Sequence, residues 1–287
     1  MNKSIQGSLF LYSEEKKLSA FMTESRKNGA LVFIPGLTDG FLSLDYLNDL
    51  QRTLKDLNLT FVQPMLRSSY LQYGITSLQT DCEDLDELMI VLSEEYHFQK
   101  FFLMGHSTGC QDIVYFLKHS SVLDKVKVEA ICLQGAVSDR EWMNEDPNTS
   151  KWRQWCEDHK SQGMDTLLPR EADIAPISIY RYLSLSGRLT DDDMFSTDLT
   201  DTEMESIFSH INMPTLFIYS SNDQYVPASV NKQKYVHRID NAIRHCNAYL
   251  LQGADHEVSN TMSKTIFLQI VYHFFSNMFK KQYFYEE

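Results

Sequence analysis

The stretch that decides the fold of this chain is Phe101-Phe102-Leu103-Met104-Gly105-His106-Ser107-Thr108-Gly109. It combines a short apolar strand with a G-x-S-x-G turn, and a helix-like stretch, Cys110 to His119, follows directly. Such a turn lifts the serine hydroxyl above the end of a sheet, and its glycines leave room for the close backbone approach. The following helix directs its N-terminal N–H groups at the serine oxygen. The stretch therefore predicts that Ser107 is a nucleophile.

Apolar runs on both sides of this turn alternate with helical spacing, which is typical of a parallel sheet with crossover helices. After an opening hairpin, the predicted strands are Ala30 to Ile34, Thr60 to Gln63, Phe101 to Met104, Val128 to Leu133, Thr215 to Tyr219 and Ala248 to Leu251. The spacing of apolar residues predicts helices from Leu78 to Tyr96 and from Ile266 to Met278. The expected fold class is α/β, with a mostly parallel central sheet and helices on both faces.

The segment from Ser138 to Ser209 breaks this alternation. It holds all three tryptophans of the chain and acidic clusters such as Asp191-Asp192-Asp193. Because connections this long are usually functional, we interpret it as a helical insertion that lies over a pocket as a cap. The alternative is an ordinary long crossover with an exposed acidic loop. The expected organisation is one structural domain, with a core of residues 1–137 and 210–287 and a cap of residues 138–209.

A serine needs a base to become a nucleophile at neutral pH, and His256 is the best placed histidine. It lies just past the last predicted strand and before the last helix, where a loop can bring its imidazole onto the turn bearing Ser107. His106 adjoins the serine, but we expect its side chain to leave the turn in another direction. The remaining seven histidines lie in helical or loop stretches without this placement.

The base needs a carboxylate that orients its ring, and Asp223 fits best because it follows the strand Thr215 to Tyr219. The resulting order along the chain, serine, aspartate and then histidine, is that of the α/β-hydrolases. Asp139 is the alternative acid, since it follows the preceding strand. Asp255 adjoins the base in sequence, and neighbouring side chains usually diverge.

A tetrahedral intermediate also needs N–H donors for its negative oxygen. The backbone N–H of Thr108, directly after the nucleophile, is one predicted donor. The second is expected in the turn Pro35 to Gly40, with Leu37 as first choice and Thr38 as second. The alternative interpretation of this glycine-bearing loop is a simple tight turn. It is not a phosphate-binding loop, because it lacks the G-x-x-x-x-G-K-[ST] pattern.

Composition narrows the classes of partner. The 287 residues carry a formal charge of −13, which disfavours nucleic acid and anionic membrane surfaces. The five cysteines are scattered, with no CxxC pair, so we expect neither a zinc site nor a disulfide framework but a reducing, cytoplasmic location. The N-terminus lacks the apolar run of a signal peptide. No metal or organic cofactor is expected, and no pattern indicates an oligomeric state.

Several motifs resemble one branch of the α/β-hydrolase superfamily over roughly residues 28–275. The motifs are Pro35 to Phe41, Gln63-Pro64, Ser68 to Tyr70, Gly105 to Asp112, Val137 to Glu141, Pro169 to Asp173, Tyr180 to Tyr182 and Asp191 to Phe195. The branch is a eukaryotic family of unknown function that includes fungal siderophore esterases, which open ester bonds of fusarinine-type chelators. The resemblance implies the fold, hydrolase chemistry and a catalytic triad of Ser107, Asp223 and His256. It does not imply a siderophore substrate for this chain.

Two positions depart from the family's pattern. Pro35-Gly36 stands where Gly-Gly is more usual, and Asp255 precedes His256 where a small polar residue is common. A proline at position 35 still leaves the N–H of Leu37 free, so the predicted oxyanion role is unaffected.

The predicted function is hydrolysis of a carboxylic ester of a small molecule through an acyl-enzyme. A thioesterase or amidase would use the same triad, and a non-catalytic ligand-binding protein on a hydrolase scaffold is the alternative from another class. Six side chains are candidates for substrate contacts: Thr38, Arg67, Tyr70, Arg170, Tyr180 and Arg181. The arginines and Tyr180 could equally form ion pairs and hydrogen bonds inside the cap.

Overall fold

The computed structural model describes residues 4–280, and their centre is a single mixed sheet. Its strands are β1 (Ser8–Ser13), β2 (Leu18–Met22), β3 (Ala30–Ile34), β4 (Thr60–Pro64), β5 (Phe101–His106), β6 (Val128–Gln134), β7 (Thr215–Ser220) and β8 (Cys246–Leu251). Their order across the sheet is β1-β2-β4-β3-β5-β6-β7-β8. The pairs β1/β2 and β2/β4 are antiparallel, and all the other pairs are parallel. The predicted sheet is confirmed, including its opening hairpin.

Helices connect these strands. They are α1 (Leu47–Asp56), α2 (Leu78–Glu94), α3 (Gly109–His119), α4 (Asp139–Asn144), α5 (Thr149–His159), α6 (Ile179–Ser186), α7 (Asp201–Phe208), α8 (Lys232–Ala242) and α9 (Thr261–Lys280). The stretches predicted as helical, Leu78 to Tyr96, Cys110 to His119 and Ile266 to Met278, correspond to α2, α3 and α9, whereas α1 and α8 were not predicted. Across residues 4–280, no helix combines the length and the apolar character needed to cross a membrane.

The two faces of the sheet bury two separate apolar clusters, because side chains alternate along each strand. In β3, Ala30, Val32 and Ile34 belong to the cluster under α2, α3 and α8. Leu31 and Phe33 belong to the other cluster, which α1 and α9 cover. This two-sided burial explains why the central strands are continuous apolar runs rather than alternating ones. It also confirms the predicted helices on both faces.

The 138–209 segment contains α4 to α7 and lies between β6 and β7 in the chain. It buries a small apolar cluster of its own, centred on Trp152, Cys156 and Tyr182, against which Leu37 of the core packs. Buried ion pairs hold it together internally: Arg181 with Asp192, and Arg140 with Asp193. The segment therefore has its own packing and touches the core beside the loop that follows β3.

Candidate active site

Ser107 lies on the sharp turn between β5 and α3, with a backbone φ of +55°. A residue with a Cβ atom is strained in this left-handed region, at a cost of about 1–3 kcal/mol. The turn is also crowded: a Cβ on Gly105 would lie 2.5 Å from the carbonyl oxygen of Gly109, and one on Gly109 would overlap the carbonyl oxygen of Ile34. Only glycine fits at both positions, so the G-x-S-x-G pattern follows from local sterics.

His256 and Asp223 come from the ends of two neighbouring strands, since His256 follows β8 and Asp223 follows β7. The Nδ1 atom of His256 lies 2.7 Å from the Oδ2 atom of Asp223. The other carboxylate oxygen of Asp223 accepts a hydrogen bond from the Tyr225 N–H at 3.0 Å. Both side chains are buried. A neutral His256 that donates from Nδ1 keeps its Nε2 lone pair free to accept a proton.

Ser107 and His256 line the same cavity. No hydrogen bond joins the Ser107 Oγ to His256 within residues 4–280. Catalytic hydrogen bonds of this kind often tighten only when substrate binds, so the geometry is compatible with a nucleophile and its base without recording their contact.

Gln134, at the end of β6, ties the histidines of the site to the core. Its Oε1 accepts hydrogen bonds from the Tyr46 hydroxyl at 2.9 Å and from the His106 Nδ1 at 2.7 Å. Its Nε2 donates to the carbonyl oxygen of His256 at 2.9 Å. Burial, reinforced by the nearby His256, lowers the pKa of His106 to about 3, so His106 is neutral. His106 lines the same cavity as Ser107, and its ring centroid lies 4.8 Å from that of His256, so its side chain stays beside the site.

The loop after β3 runs directly against the nucleophile. A Cβ on Gly36 would lie 2.8 Å from the Cβ of Ser107. The loop is closed by a hydrogen bond from the Asp39 N–H to the Gly36 carbonyl at 3.2 Å. Within residues 4–280, the backbone N–H groups of Leu37 and Thr108 donate no hydrogen bond. Two unused donors beside the serine are what a developing oxyanion requires, and their role stays a prediction.

The cavity above Ser107 has a volume of about 470 Å³, which suits a small molecule. The 138–209 segment contributes part of its wall, namely Trp142, Met143, Asp173, Ile174 and Leu185. Four of the lining residues are acidic: Asp39, Asp139, Asp173 and Glu257. Most of this lining was not predicted from the sequence, although several of its core residues, such as Leu37, Ser107 and His256, follow the carboxyl ends of strands, where α/β sheets bind their ligands.

The alternative acids contact other groups. Asp139 accepts a hydrogen bond from the Gln111 Nε2 at 2.8 Å, and burial raises its pKa to about 7. Asp255 accepts a hydrogen bond from the Ser259 N–H at 2.7 Å. Among the three candidates, only Asp223 is hydrogen-bonded to the ring of His256.

Of the six predicted substrate contacts, Thr38 lines the cavity, and it adopts a left-handed φ of +66°. The other five do not line it. Arg67 is paired with Asp84 at 2.7 Å, and Arg181 is buried against Asp192. Arg181 thus forms an ion pair inside the 138–209 segment, as the alternative interpretation expected, whereas the ion pair of Arg67 lies in the core.

The remaining three candidates lie at or near the surface. Tyr70 is exposed, and its N–H donates to the Asp39 carbonyl at 3.1 Å. Arg170 donates to the carbonyl of Asp173 at 2.6 Å, and Tyr180 is half-buried. Contact of any of the six with a substrate stays a prediction. In the described part of the chain, no group of three or more His, Cys, Asp or Glu side chains could hold a metal ion.

Solved structures share this architecture. The siderophore hydrolase EstB from Aspergillus fumigatus superposes with a TM-score of 0.79 at 25% sequence identity, covering 96% of this chain and 98% of that one. An α/β-hydrolase-fold protein of unknown function superposes with a TM-score of 0.72 at 20% identity, covering 99% and 100%. The curated fusarinine C esterase sidJ of Aspergillus fumigatus is 28% identical over 303 residues, covering 83% of this chain and 85% of that protein. The chain is an α/β-hydrolase of the class that acts on ester bonds.

Its particular family is also defined. Residues 1–276 match the family described as "Protein of unknown function (DUF1749)", and the chain belongs to that family. The resemblance inferred from the sequence motifs is thereby confirmed.

Proposed function

We propose that this protein is a serine esterase that cleaves a small-molecule carboxylic ester through a triad of Ser107, His256 and Asp223. The observation that carries the proposal is the 2.7 Å bond between His256 and Asp223 at the wall of the cavity that also contains Ser107. Its esterase relatives support the reaction class, and the fusarinine C esterase makes siderophore-type esters the first candidate substrates. Five free cysteines agree with a cytoplasmic location, which is part of this proposal.

In the proposed reaction, the Ser107 Oγ attacks the ester carbonyl while the His256 Nε2 takes its proton. The negative oxygen of the tetrahedral intermediate accepts hydrogen bonds from the N–H groups of Leu37 and Thr108. The bond between the carbonyl carbon and the alcohol oxygen then breaks, and His256 gives its proton to the departing alkoxide. The alcohol leaves, and the acyl group remains bound to Ser107 as an ester. Water, deprotonated by His256, attacks this ester, and the acyl–Oγ bond breaks to release the acid while His256 returns the proton to the Ser107 Oγ. Asp223 holds the ring of His256 and stabilises its charged form throughout.

The 138–209 segment is proposed to act as the cap of this site. Trp142, Met143, Ile174 and Leu185 add apolar side chains to the cavity wall, whereas Ser107 and His256 come from the core. The segment would thus contact the parts of the substrate away from the reacting bond. Differences in substrate preference between relatives would then depend on this segment rather than on the triad.

The decisive test is labelling of Ser107 with a fluorophosphonate probe, combined with turnover of ester, thioester and amide substrates of graded acyl length. We expect the wild type to be labelled and to cleave esters, and Ser107→Ala to lose the label and at least about 10⁴ of the turnover. Preference for thioesters or amides would change the assigned reaction but keep the triad. Absence of label and of turnover above the Ser107→Ala background would favour a ligand-binding protein instead.

A further inference from the structure

A second and much smaller cavity, of about 10 Å³, borders both proposed oxyanion donors. Leu37 and Thr108 form part of its wall, together with Pro35 and Gly36. The rest of the wall is polar or charged and comes from elsewhere in the chain: Ser68, Asp81, Asp112 and Arg181. None of these four lines the larger cavity, so they would not touch a substrate there.

Three of these side chains keep a buried polar atom without a hydrogen-bond partner among residues 4–280: the Oδ1 of Asp81, the Oδ1 of Asp112 and the Nε of Arg181. Their side chains are almost completely buried, with exposed fractions of 2%, 6% and 2%. A buried polar atom without a partner costs about 1–3 kcal/mol. Three such atoms around one small cavity therefore lower the stability of the fold. Their presence is better explained by a role in function than by a contribution to stability.

The three side chains join three separate elements at this point. Asp81 lies in the first turn of α2. Asp112 lies in α3, and its N–H donates to the carbonyl of Thr108 at 3.1 Å. Arg181 lies in α6 of the cap, where its Nη1 donates to both carboxylate oxygens of Asp192 at 2.8 and 2.7 Å. The guanidinium is thus bonded within the cap and shares the wall of the small cavity with Asp81 of α2 and Asp112 of α3.

We propose that Arg181 is a positioning residue, whose buried guanidinium ties the cap to Asp81 and Asp112 and thereby holds the Leu37 and Thr108 amides where the oxyanion forms. This inference rests on the proposed function. Removing the guanidinium would leave two buried carboxyl groups without their counter-charge directly against both donor loops. The loops would then shift, and donors only about 1 Å out of place can cost 10²-fold in rate.

Charge balance supports this role. Burial raises the pKa of Asp112 well above its ordinary range, the neighbouring Asp81 carboxyl raises it further, and the Arg181 guanidinium lowers it. Arg181 is thus a positive charge set against three buried carboxyl groups, Asp192, Asp81 and Asp112. An uncharged side chain at position 181 would leave all three without this counter-charge.

The experiment compares Arg181→Met and Arg181→Lys with the control Arg188→Met, which removes an exposed arginine of the same segment. Fluorophosphonate titration counts active sites, so that kcat is expressed per labelled Ser107. We expect Arg181→Met to lower this kcat by about 10–10² with KM within about threefold, because oxyanion donors act mainly in the transition state. Arg181→Lys keeps the charge but not the planar fork, and it should also lose at least about tenfold in kcat.

The outcomes separate the alternatives. Wild-type kcat in Arg188→Met, with the loss confined to the Arg181 variants, supports the proposal. If the Arg181 variants unfold at lower temperature but keep the wild-type kcat per labelled site, Arg181 is only structural and the proposal is overturned. Should Arg181→Met fail to fold, Arg181→Lys decides by the same criterion. Wild-type protein without label or Ser107-dependent turnover would instead overturn the proposed function, and the positioning role with it.

Discussion

His256 gains its proposed role from a single side-chain partner. Its neutral ring could carry the proton on either nitrogen, and only the Nδ1–H form leaves Nε2 free to act as a base. The Asp223 carboxylate at 2.7 Å selects that form because a carboxylate can only accept. The tautomer of one imidazole therefore decides whether Ser107 can be activated.

We predict that Asp223→Asn lowers turnover by roughly 10⁴ while the fold is retained, because an amide can donate to Nδ1 and stabilise the wrong tautomer. Ester hydrolysis per milligram of folded protein measures the loss. Asp255→Asn is the matched control, since Asp255 adjoins His256 in sequence but accepts its hydrogen bond from Ser259. Equal activity of the two variants would contradict the assignment of Asp223.

Gln134 marks the limit of prediction at this scale. Ser107 and His256 could be predicted from the sequence because each follows a recognisable strand. Few other serines or histidines of the chain have such a position. The three hydrogen bonds of Gln134, to Tyr46, His106 and His256, join residues 28 to 122 positions apart. A glutamine at the end of a buried apolar strand was the available signal, because a buried polar side chain needs partners.

Among the elements, α7 has a clear local start signal, a capping box at its N-terminus. Thr200 accepts a hydrogen bond from the Glu203 N–H at 3.2 Å, and the Glu203 side chain accepts one from the Thr200 N–H at 2.8 Å. This reciprocal capping box satisfies two N–H groups that the helix itself cannot. Arg188 also pairs with Glu203, so the same residue joins α7 to the loop after α6.

We predict that Thr200→Ala lowers the free energy of unfolding by about 1 kcal/mol and leaves ester hydrolysis unchanged. Urea denaturation followed by far-UV circular dichroism measures the loss. The control is Thr202→Ala, an exposed threonine on the same helix that caps nothing, for which we expect a change within about 0.5 kcal/mol. A loss of the same size in both variants would contradict the capping argument.

Elements were predictable from sequence wherever one local pattern sufficed. The runs that became β3 and β5 are apolar throughout, because both of their faces are buried. The sequence of α6 does not indicate which residues surround Arg181. Its ion-pair partner Asp192 lies nearby in the same segment, but Asp81 and Asp112, which share a cavity wall with it, lie in α2 and α3, far away along the chain. Which charged residues of the cap face the core depends on how the two pack, and that packing leaves no periodic pattern in the sequence.

For the molecule as a whole, buried titratable groups make stability depend on pH in two opposing directions. The pKa of His106 is lowered to about 3, so the unfolded chain binds a proton that the folded one does not, and acid below about pH 6.5 favours unfolding. The pKa of Asp139 is raised to about 7, chiefly by burial. Here the folded chain holds the extra proton, so stability is lost as the pH rises from about 4 to about 7.

Asp139→Asn separates these two contributions. The neutral amide cannot lose a proton, so relative to the wild type we expect little change in the free energy of unfolding at pH 4 and a gain of up to a few kcal/mol at pH 8. Asn also keeps an oxygen that can accept the hydrogen bond from Gln111. Urea denaturation at pH 4, 6 and 8 gives the difference, with the exposed Asp124→Asn as control. If the difference in the free energy of unfolding between Asp139→Asn and the wild type does not change with pH, the raised pKa of Asp139 is contradicted. The folded and unfolded chains would then bind the same number of protons at this residue over that pH range.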